Sequence, residues 1–216
     1  QTARAKLTVI RGDGHDGVSY SLAGQEHTFG RGAECALLFA EDAYLSPIHA
    51  NFFYDNAQGG ALVVCDEGSQ NGVFVRIRGT VPIEQGSRFL AGEQLFEIAP
   101  GHTGDLEFIA DGTYYFASPA PATTLRVVQR LRGGSTAAAY AVSGGSFTIG
   151  REGNDANFPN DPFISGRHAQ IVTTRGLELT DLNSKNGTFV QIRGQHVLGH
   201  GDYVFLGQQL LRIEIV

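Results

Sequence analysis

"SQNGVFVRIRG", residues 69–79, returns almost letter for letter as "SKNGTFVQIRG", residues 184–194, 115 positions further along the chain. An Asn-Gly pair ahead of alternating apolar residues is a turn followed by a strand, because both residues tolerate positive φ. A turn alone needs neither the preceding Ser nor the shared "IRG" after it. The two copies therefore belong to a larger repeated unit.

Walking backwards from the two Asn-Gly pairs brings that unit into register. "HTFGRGAECALLFAEDAYLSPIHANFFYD" (27–55) faces "FTIGREGNDANFPNDPFISGRHAQIVTT" (147–174). Gly30-Arg31 matches Gly150-Arg151, Ser46 matches Ser165 and His49 matches His168. Arg to Ser is 15 residues in one copy and 14 in the other, and Ser to His is three in both. His to Asn is 22 against 18, the difference falling at "DNAQGGA", where a hairpin loop lengthens at little cost. Downstream, "GSRFLAGEQLFEI" faces "GDYVFLGQQLLRIEI".

The background is strand after strand. "KLTVI", "VSYSLA", "HANFFY", "ALVVCD", "GVFVRIR" and "EQLFEI" are short runs rich in β-branched or aromatic residues, divided by Gly, Asn, Asp and Pro. The second half repeats them, and no stretch of ten or more residues shows helical periodicity. The expected fold is all-β: a sandwich over 1–100, a linker over 101–122, and a second sandwich over 123–216. The linker holds "TYYFAS" (113–118), which is too aromatic for a solvated spacer and is expected to pack against one of the units.

Composition excludes several classes. No stretch reaches the roughly 18 to 20 apolar residues of a bilayer span, and the N-terminus lacks the apolar run of a secretory signal. Neither membrane insertion nor export is expected, and the reading is a cytoplasmic protein. With no Met in the sequence, the chain is expected to be a piece of a longer one, whose remainder is itself a candidate partner. Cys35 and Cys65 lie in the first copy only, so no disulfide framework recurs, and neither has the neighbours of a zinc site. No metal or cofactor is expected. Residues 1–100 carry 7 Lys+Arg against 12 Asp+Glu, and residues 123–216 carry 9 against 7. That balance gives no general attraction for nucleic acid, although a single phosphate is better received in the second copy.

Two apparent catalytic or cofactor motifs dissolve on inspection. "IRGDGHDG" contains a G-x-G-x-x-G at Gly12, Gly14 and Gly17, but a strand follows where a dinucleotide site needs a helix, so a Gly-rich hairpin loop is the better reading. Ser46 with His49, and Ser165 with His168, have no nucleophile elbow and no orienting acid, so the His is expected to brace a loop. What recurs is Arg, Ser and Asn in loops beside Gly. Arg offers a permanent charge on a planar fork suited to two phosphate oxygens, Ser a hydroxyl donor, Gly-rich turns exposed N–H groups, and Asn a donor and acceptor for an extended peptide.

Gly-Arg, then S-x-x-H, then Asn-Gly, on a strand-only background, resembles the forkhead-associated (FHA) domain, here as a tandem pair. The match is densest in "FTIGR", "ISGRHAQI" and "LTDLNSKNGTFV". The resemblance implies eleven-stranded sandwiches whose loops at one end read phosphothreonine peptides. It assigns phosphopeptide binding in the second copy to Arg151, Ser165, Gly166, Arg167, Lys185 and Asn186, with Gly150, His168 and Gly187 as architecture. In the first copy the matching residues are Arg31, Ser46, Gln70 and Asn71, with Gly30, His49 and Gly72 as architecture. There Pro47 lacks the N–H that Gly166 keeps, Gln70 replaces Lys185 and Val73 replaces Thr188, which weakens the case for phosphate. The expected role is a non-enzymatic adaptor linking a Ser/Thr kinase or its substrate to another protein. The alternative is a phosphorylation-independent scaffold that docks or dimerises through its sandwiches.

Overall fold

The computed structural model describes residues 4–101 and 124–216. The linker and its "TYYFAS" stretch lie outside the described residues. In chain order the first repeat supplies β1 (Ala5–Ile10), β2 (Asp16–Leu22), β3 (Glu26–Gly30), β4 (Leu37–Leu38), β5 (Ala50–Asp55), β6 (Ala61–Asp66), β7 (Val73–Arg76), β8 (Thr80–Pro82), β9 (Arg88–Ala91) and β10 (Gln94–Pro100). The second supplies β11 (Leu125–Arg130), β12 (Thr136–Ala141), β13 (Ser146–Gly150), β14 (Ala156–Asn157), β15 (Ala169–Val172), β16 (Glu178–Asp181), β17 (Thr188–Gln191), β18 (Gln195–Leu198), β19 (Tyr203–Leu206) and β20 (Gln209–Ile215). Among the described residues there is no α-helix, and so none that could cross a membrane.

The strands do not assemble repeat by repeat. One compact unit is Gln1–Arg76 with Phe189–Val216, and the other is Ile77–Thr188. This differs from the division into 1–100 and 123–216: β8, β9 and β10 leave the first repeat to complete the unit built on the second, and β18, β19 and β20 do the reverse. The physical reason lies in the interchangeable halves. Each exported block keeps the same alternation of inward apolar residues, so either sandwich accepts it.

The first unit is a sandwich of two sheets. One runs β18-β6-β5-β3-β4, and the other runs β17-β7-β19-β20-β1-β2. β18 lies antiparallel to β6 from Gln195↔Cys65 to Leu198↔Leu62, and β20 lies antiparallel to β1 from Ala5↔Ile215 to Ile10↔Leu210. Alternation decides what faces in: β5 buries Ala50, Phe52 and Tyr54 and leaves the residues between them half-exposed. These meet Phe29, Val64 and Leu198 of their own sheet and Leu7, Val75, Leu206, Leu211 and Ile213 of the opposite one in a single core. Each such large side chain contributes about 1.5–3 kcal/mol on burial, so a core drawn from both repeats ties their folding together. The Gly-rich "RGDGHDG" is the β1–β2 hairpin, closed by Arg11 N–H donating to the His15 carbonyl at 2.9 Å.

The second unit repeats the plan with β14-β13-β15-β16-β8 and β12-β11-β10-β9. β8 lies antiparallel to β16, Thr80 opposite Thr180 and Pro82 opposite Glu178. β8 is the last strand of its sheet, the place where a proline costs no ladder bond. Phe89, Phe96 and Ile98 from the first repeat are fully buried in the same unit as Val127, Ile149, Ile171 and Leu179 from the second.

Candidate functional site

Each Asn-Gly pair lies in a loop that joins strands of different sheets, β6 to β7 and β16 to β17, so it does not close a hairpin. Gly72 (φ 83°) and Gly187 (φ 85°) take the left-handed conformation that the turn requires. In the second unit Ser184 Oγ accepts from Gly187 N–H at 3.0 Å and donates to Asp181 Oδ1 at 2.6 Å, while Thr188 Oγ1 donates to the same oxygen at 2.7 Å. Lys185 and Asn186 are held on the exposed crest of this bonded turn.

Three loops meet at Ser165. Its Oγ accepts from Lys185 N–H at 3.0 Å, which leaves its own proton to donate outward. Its N–H donates to His168 Nδ1 at 3.1 Å, and His168 Nε2 donates to the Gly187 carbonyl at 2.9 Å. With both ring nitrogens spent on backbone, His168 has no nitrogen to take a proton from Ser165, so the pair is a brace and not a nucleophile with its base. His168 is fully buried, as is His49 with the matching bonds to Ser46 and Gly72. Burial pushes the His49 pKa below its ordinary 6.5, against the smaller opposing pull of its bond to Gly72.

Arg151 reaches this point from the end of β13. Its N–H donates to the carbonyls of Ser165 (3.0 Å) and Gly166 (3.2 Å), and Nη2 donates to the Ile164 carbonyl at 2.7 Å, leaving the remaining guanidinium donors to solvent. The approach is close because residue 150 is glycine: a Cβ there would lie 2.2 Å from the Gly166 carbonyl oxygen. Gly30 meets the Pro47 carbonyl oxygen in the same way. Gly166 and Arg167 are exposed on the Ser165 loop, and the Asn186 side chain donates to the Phe163 carbonyl at 2.8 Å, tying the turn to that loop. Arg151, Ser165, Lys185 and Asn186 are thus brought together, with Arg167 two residues from Ser165.

The first unit builds the same frame with different donors. Arg31 Nε donates to the Leu45 carbonyl at 2.8 Å, Ser46 Oγ accepts from Gln70 N–H at 3.1 Å, and Asn71 donates to the Tyr44 carbonyl at 2.8 Å. Ile48, 41% exposed, stands where the second site has Arg167. Glu34 folds back onto Gly32 beside Arg31: a Cβ on Gly32 would lie 2.5 Å from its carboxylate.

Sequence reasoning passed over two pairs of residues. Cys35 Sγ donates to the Pro47 carbonyl at 3.1 Å, and Asn154 Nδ2 donates to the Gly166 carbonyl at 2.7 Å, so both fasten the loop after the Ser. Asp42 and Asp161, each 4% exposed, accept from the loop N–H of Tyr44 (3.0 Å) and Phe163 (2.9 Å). The signal was present as Asp-x-aromatic with the Asp four residues ahead of each Ser. Among the described residues no cluster of His, Cys, Asp or Glu is placed to hold a metal.

Comparison with known proteins agrees with this frame. The family profile described as "FHA domain" matches residues 27–92 and 147–207, together more than half of the chain. A search of curated proteins finds no match. Among solved structures, the FhaA FHA domain complexed with the intracellular domain of Rv3910 aligns with 97% of this chain and 99% of its own at 10% identity, with a TM-score of 0.35. A structure described as an analysis of phosphothreonine-dependent FHA domain interactions is 32% identical over 42% of this chain and 97% of its own, with a TM-score of 0.26. EmbR of Mycobacterium tuberculosis, in complex with a low affinity phosphopeptide, is 24% identical over 40% of this chain and 26% of its own, with a TM-score of 0.22. On the two-region profile match and the Arg, Ser, His and Asn-Gly frame found in both units, the chain belongs to the FHA family and carries the domain twice.

Proposed function

We propose that this chain is a phosphothreonine-dependent interaction module whose main binding site is Arg151, Ser165, Gly166, Arg167, Lys185 and Asn186. FHA domains are protein-interaction modules, and solved relatives are described with phosphopeptides or a partner domain. The observation that carries the reading is the concentration of donors around Ser165. Arg151, Arg167 and Lys185 are exposed cations on loops that meet there, with an outward hydroxyl and the N–H of an open glycine. Charge-assisted bonds from such a set suit a phosphate dianion and provide no group for chemistry on it. Asn186 is placed to hold the backbone of the peptide. In a cell this couples the output of a Ser/Thr kinase to another protein. Calorimetry of the chain with a phosphothreonine peptide and its unphosphorylated match tests it: binding of the first alone is expected, and equal binding of both overturns it.

A second reading applies to the first unit. Ile48 in place of an Arg, Pro47 in place of an N–H donor and Glu34 beside Arg31 favour a phosphate-independent docking surface there.

A further inference from the structure

We propose that Gly79, Thr80, Glu93 and Gln94 of the first repeat are positioning residues for the phosphopeptide site of the second, so that the tandem chain, not the single repeat, is the smallest binding unit. This rests on the reading of Arg151, Ser165, Lys185 and Asn186 given above. Two anchors carry it, one on each flank of Asn186.

The first anchor is Asp181. Its N–H donates to the Gly79 carbonyl at 2.9 Å, and the neighbouring Thr180 shares a side-chain hydrogen bond of 2.8 Å with Thr80. The Asp181 carboxylate then gathers Ser184 N–H (3.1 Å), Ser184 Oγ and Thr188 Oγ1, the bonds that shape the turn carrying Lys185 and Asn186. The second anchor is the buried Asp161. Its Oδ2 accepts from Glu93 N–H at 2.8 Å and from Gln94 Nε2 at 2.9 Å, while Oδ1 accepts from Phe163 N–H, and Phe163 receives the Asn186 side chain through its carbonyl. The turn is pressed close: Gly92 has a φ of 60°, and a Cβ there would lie 2.6 Å from Asp161 Oδ2. Without Glu93 and Gln94 a buried carboxylate oxygen is left without these donors, a costly state.

The same pair of anchors recurs in the first unit with the repeats reversed. Asp66 N–H donates to the Gly194 carbonyl at 2.8 Å, and Asp42 Oδ2 accepts from Gln208 N–H at 2.8 Å and Gln209 Nε2 at 2.9 Å. A device built twice from different residues is a property of the strand exchange.

The test uses the full chain in two arms. Cys65 lies directly opposite Gln195, and position 80 is the one that matches 195 in the other repeat. Under mild oxidation Gln195→Cys is expected to form a disulfide with Cys65 inside one chain, mapped by mass spectrometry, while Thr80→Cys does not. The opposite result means each repeat folds on itself and overturns the proposal. In the second arm, Thr80→Val combined with Gln94→Ala is expected to weaken phosphothreonine-peptide binding about tenfold and to speed amide exchange at Lys185 and Gly187, with Tyr54 in the other unit unchanged. Unchanged exchange at Lys185 and Gly187 overturns the proposal. Because exchange is read without peptide, absence of any phosphopeptide binding would defeat the proposed function and leave this inference to be decided by the exchange rates. If the double variant fails to fold, the cysteine arm decides.

Discussion

The two sites of this chain share a frame and differ in charge. In both, a buried His bridges the Ser loop to the Asn-Gly turn with bonds of 3.1 and 2.9 Å, and an Asn side chain ties the turn to an aromatic residue's carbonyl at 2.8 Å. Around that frame the second site sets Arg151, Arg167 and Lys185, where the first sets Arg31, Ile48 and Gln70, with Glu34 close by. The frame depends on backbone carbonyls and N–H groups, which any sequence supplies once it folds. Affinity for a dianion depends on side chains at the crest, which change without disturbing the frame.

The most severe way to break the comparison is to remove the Arg on each side. Arg151→Ala is expected to lose a charge-assisted fork of about 2–4 kcal/mol, roughly thirty-fold to nearly a thousand-fold in affinity, and so to abolish measurable phosphopeptide binding by calorimetry. Arg31→Ala should do far less, and the reverse order would exchange the roles of the sites. Next, converting the second crest to the character of the first, with Arg167→Ile and Lys185→Gln, should cost about tenfold and flatten the dependence of affinity on salt. Unchanged affinity would place the difference elsewhere than in charge.

A smaller effect sharpens what the second site reads. Phosphothreonine should bind several-fold better than phosphoserine, since one buried methyl is worth roughly 1 kcal/mol; equal affinities would exclude a methyl pocket. The smallest effect concerns the first unit. Burial holds the His49 pKa below 6.5 in the folded chain, so the unfolded chain binds more protons just below that pH. This contribution to stability is fully present above about pH 6.5 and is lost as pH falls through the window beneath it. Melting curves between pH 7.5 and 5.5 should therefore fall less steeply for His49→Gln than for the unsubstituted chain. A steeper fall would contradict the neutral, buried ring.

Much of this was legible in the sequence because it is local. The spacing of Arg, Ser, His and Asn-Gly in two copies located both frames, and the alternation in "HANFFY" gave β5 its inward face. The exchange of strands was not legible, because "GSRFLAGEQLFEI" and "GDYVFLGQQLLRIEI" carry the same apolar pattern and each fits either sandwich. The chain passes between the units at the end of β7, from Arg76 to Ile77, and at the start of β17, from Thr188 to Phe189, and the repeated residue pattern carries no signal that marks either passage. Asp42 and Asp161 were missed for a related reason: their partners, Gln208 and Gln94, come from the other repeat.

The pairing of β1 with β20 has a kinetic consequence. Ala5 waits for Ile215, so during synthesis at about 5–20 residues per second the first strand stands without this partner for roughly 10 to 40 s. Over that interval Leu7 and its neighbours keep an unpaired, apolar strand edge available to any other nascent chain. Closing a loop of this length early in folding is entropically slow, so refolding in vitro should lag behind that of a self-contained sandwich of similar stability and become more prone to aggregation as concentration rises.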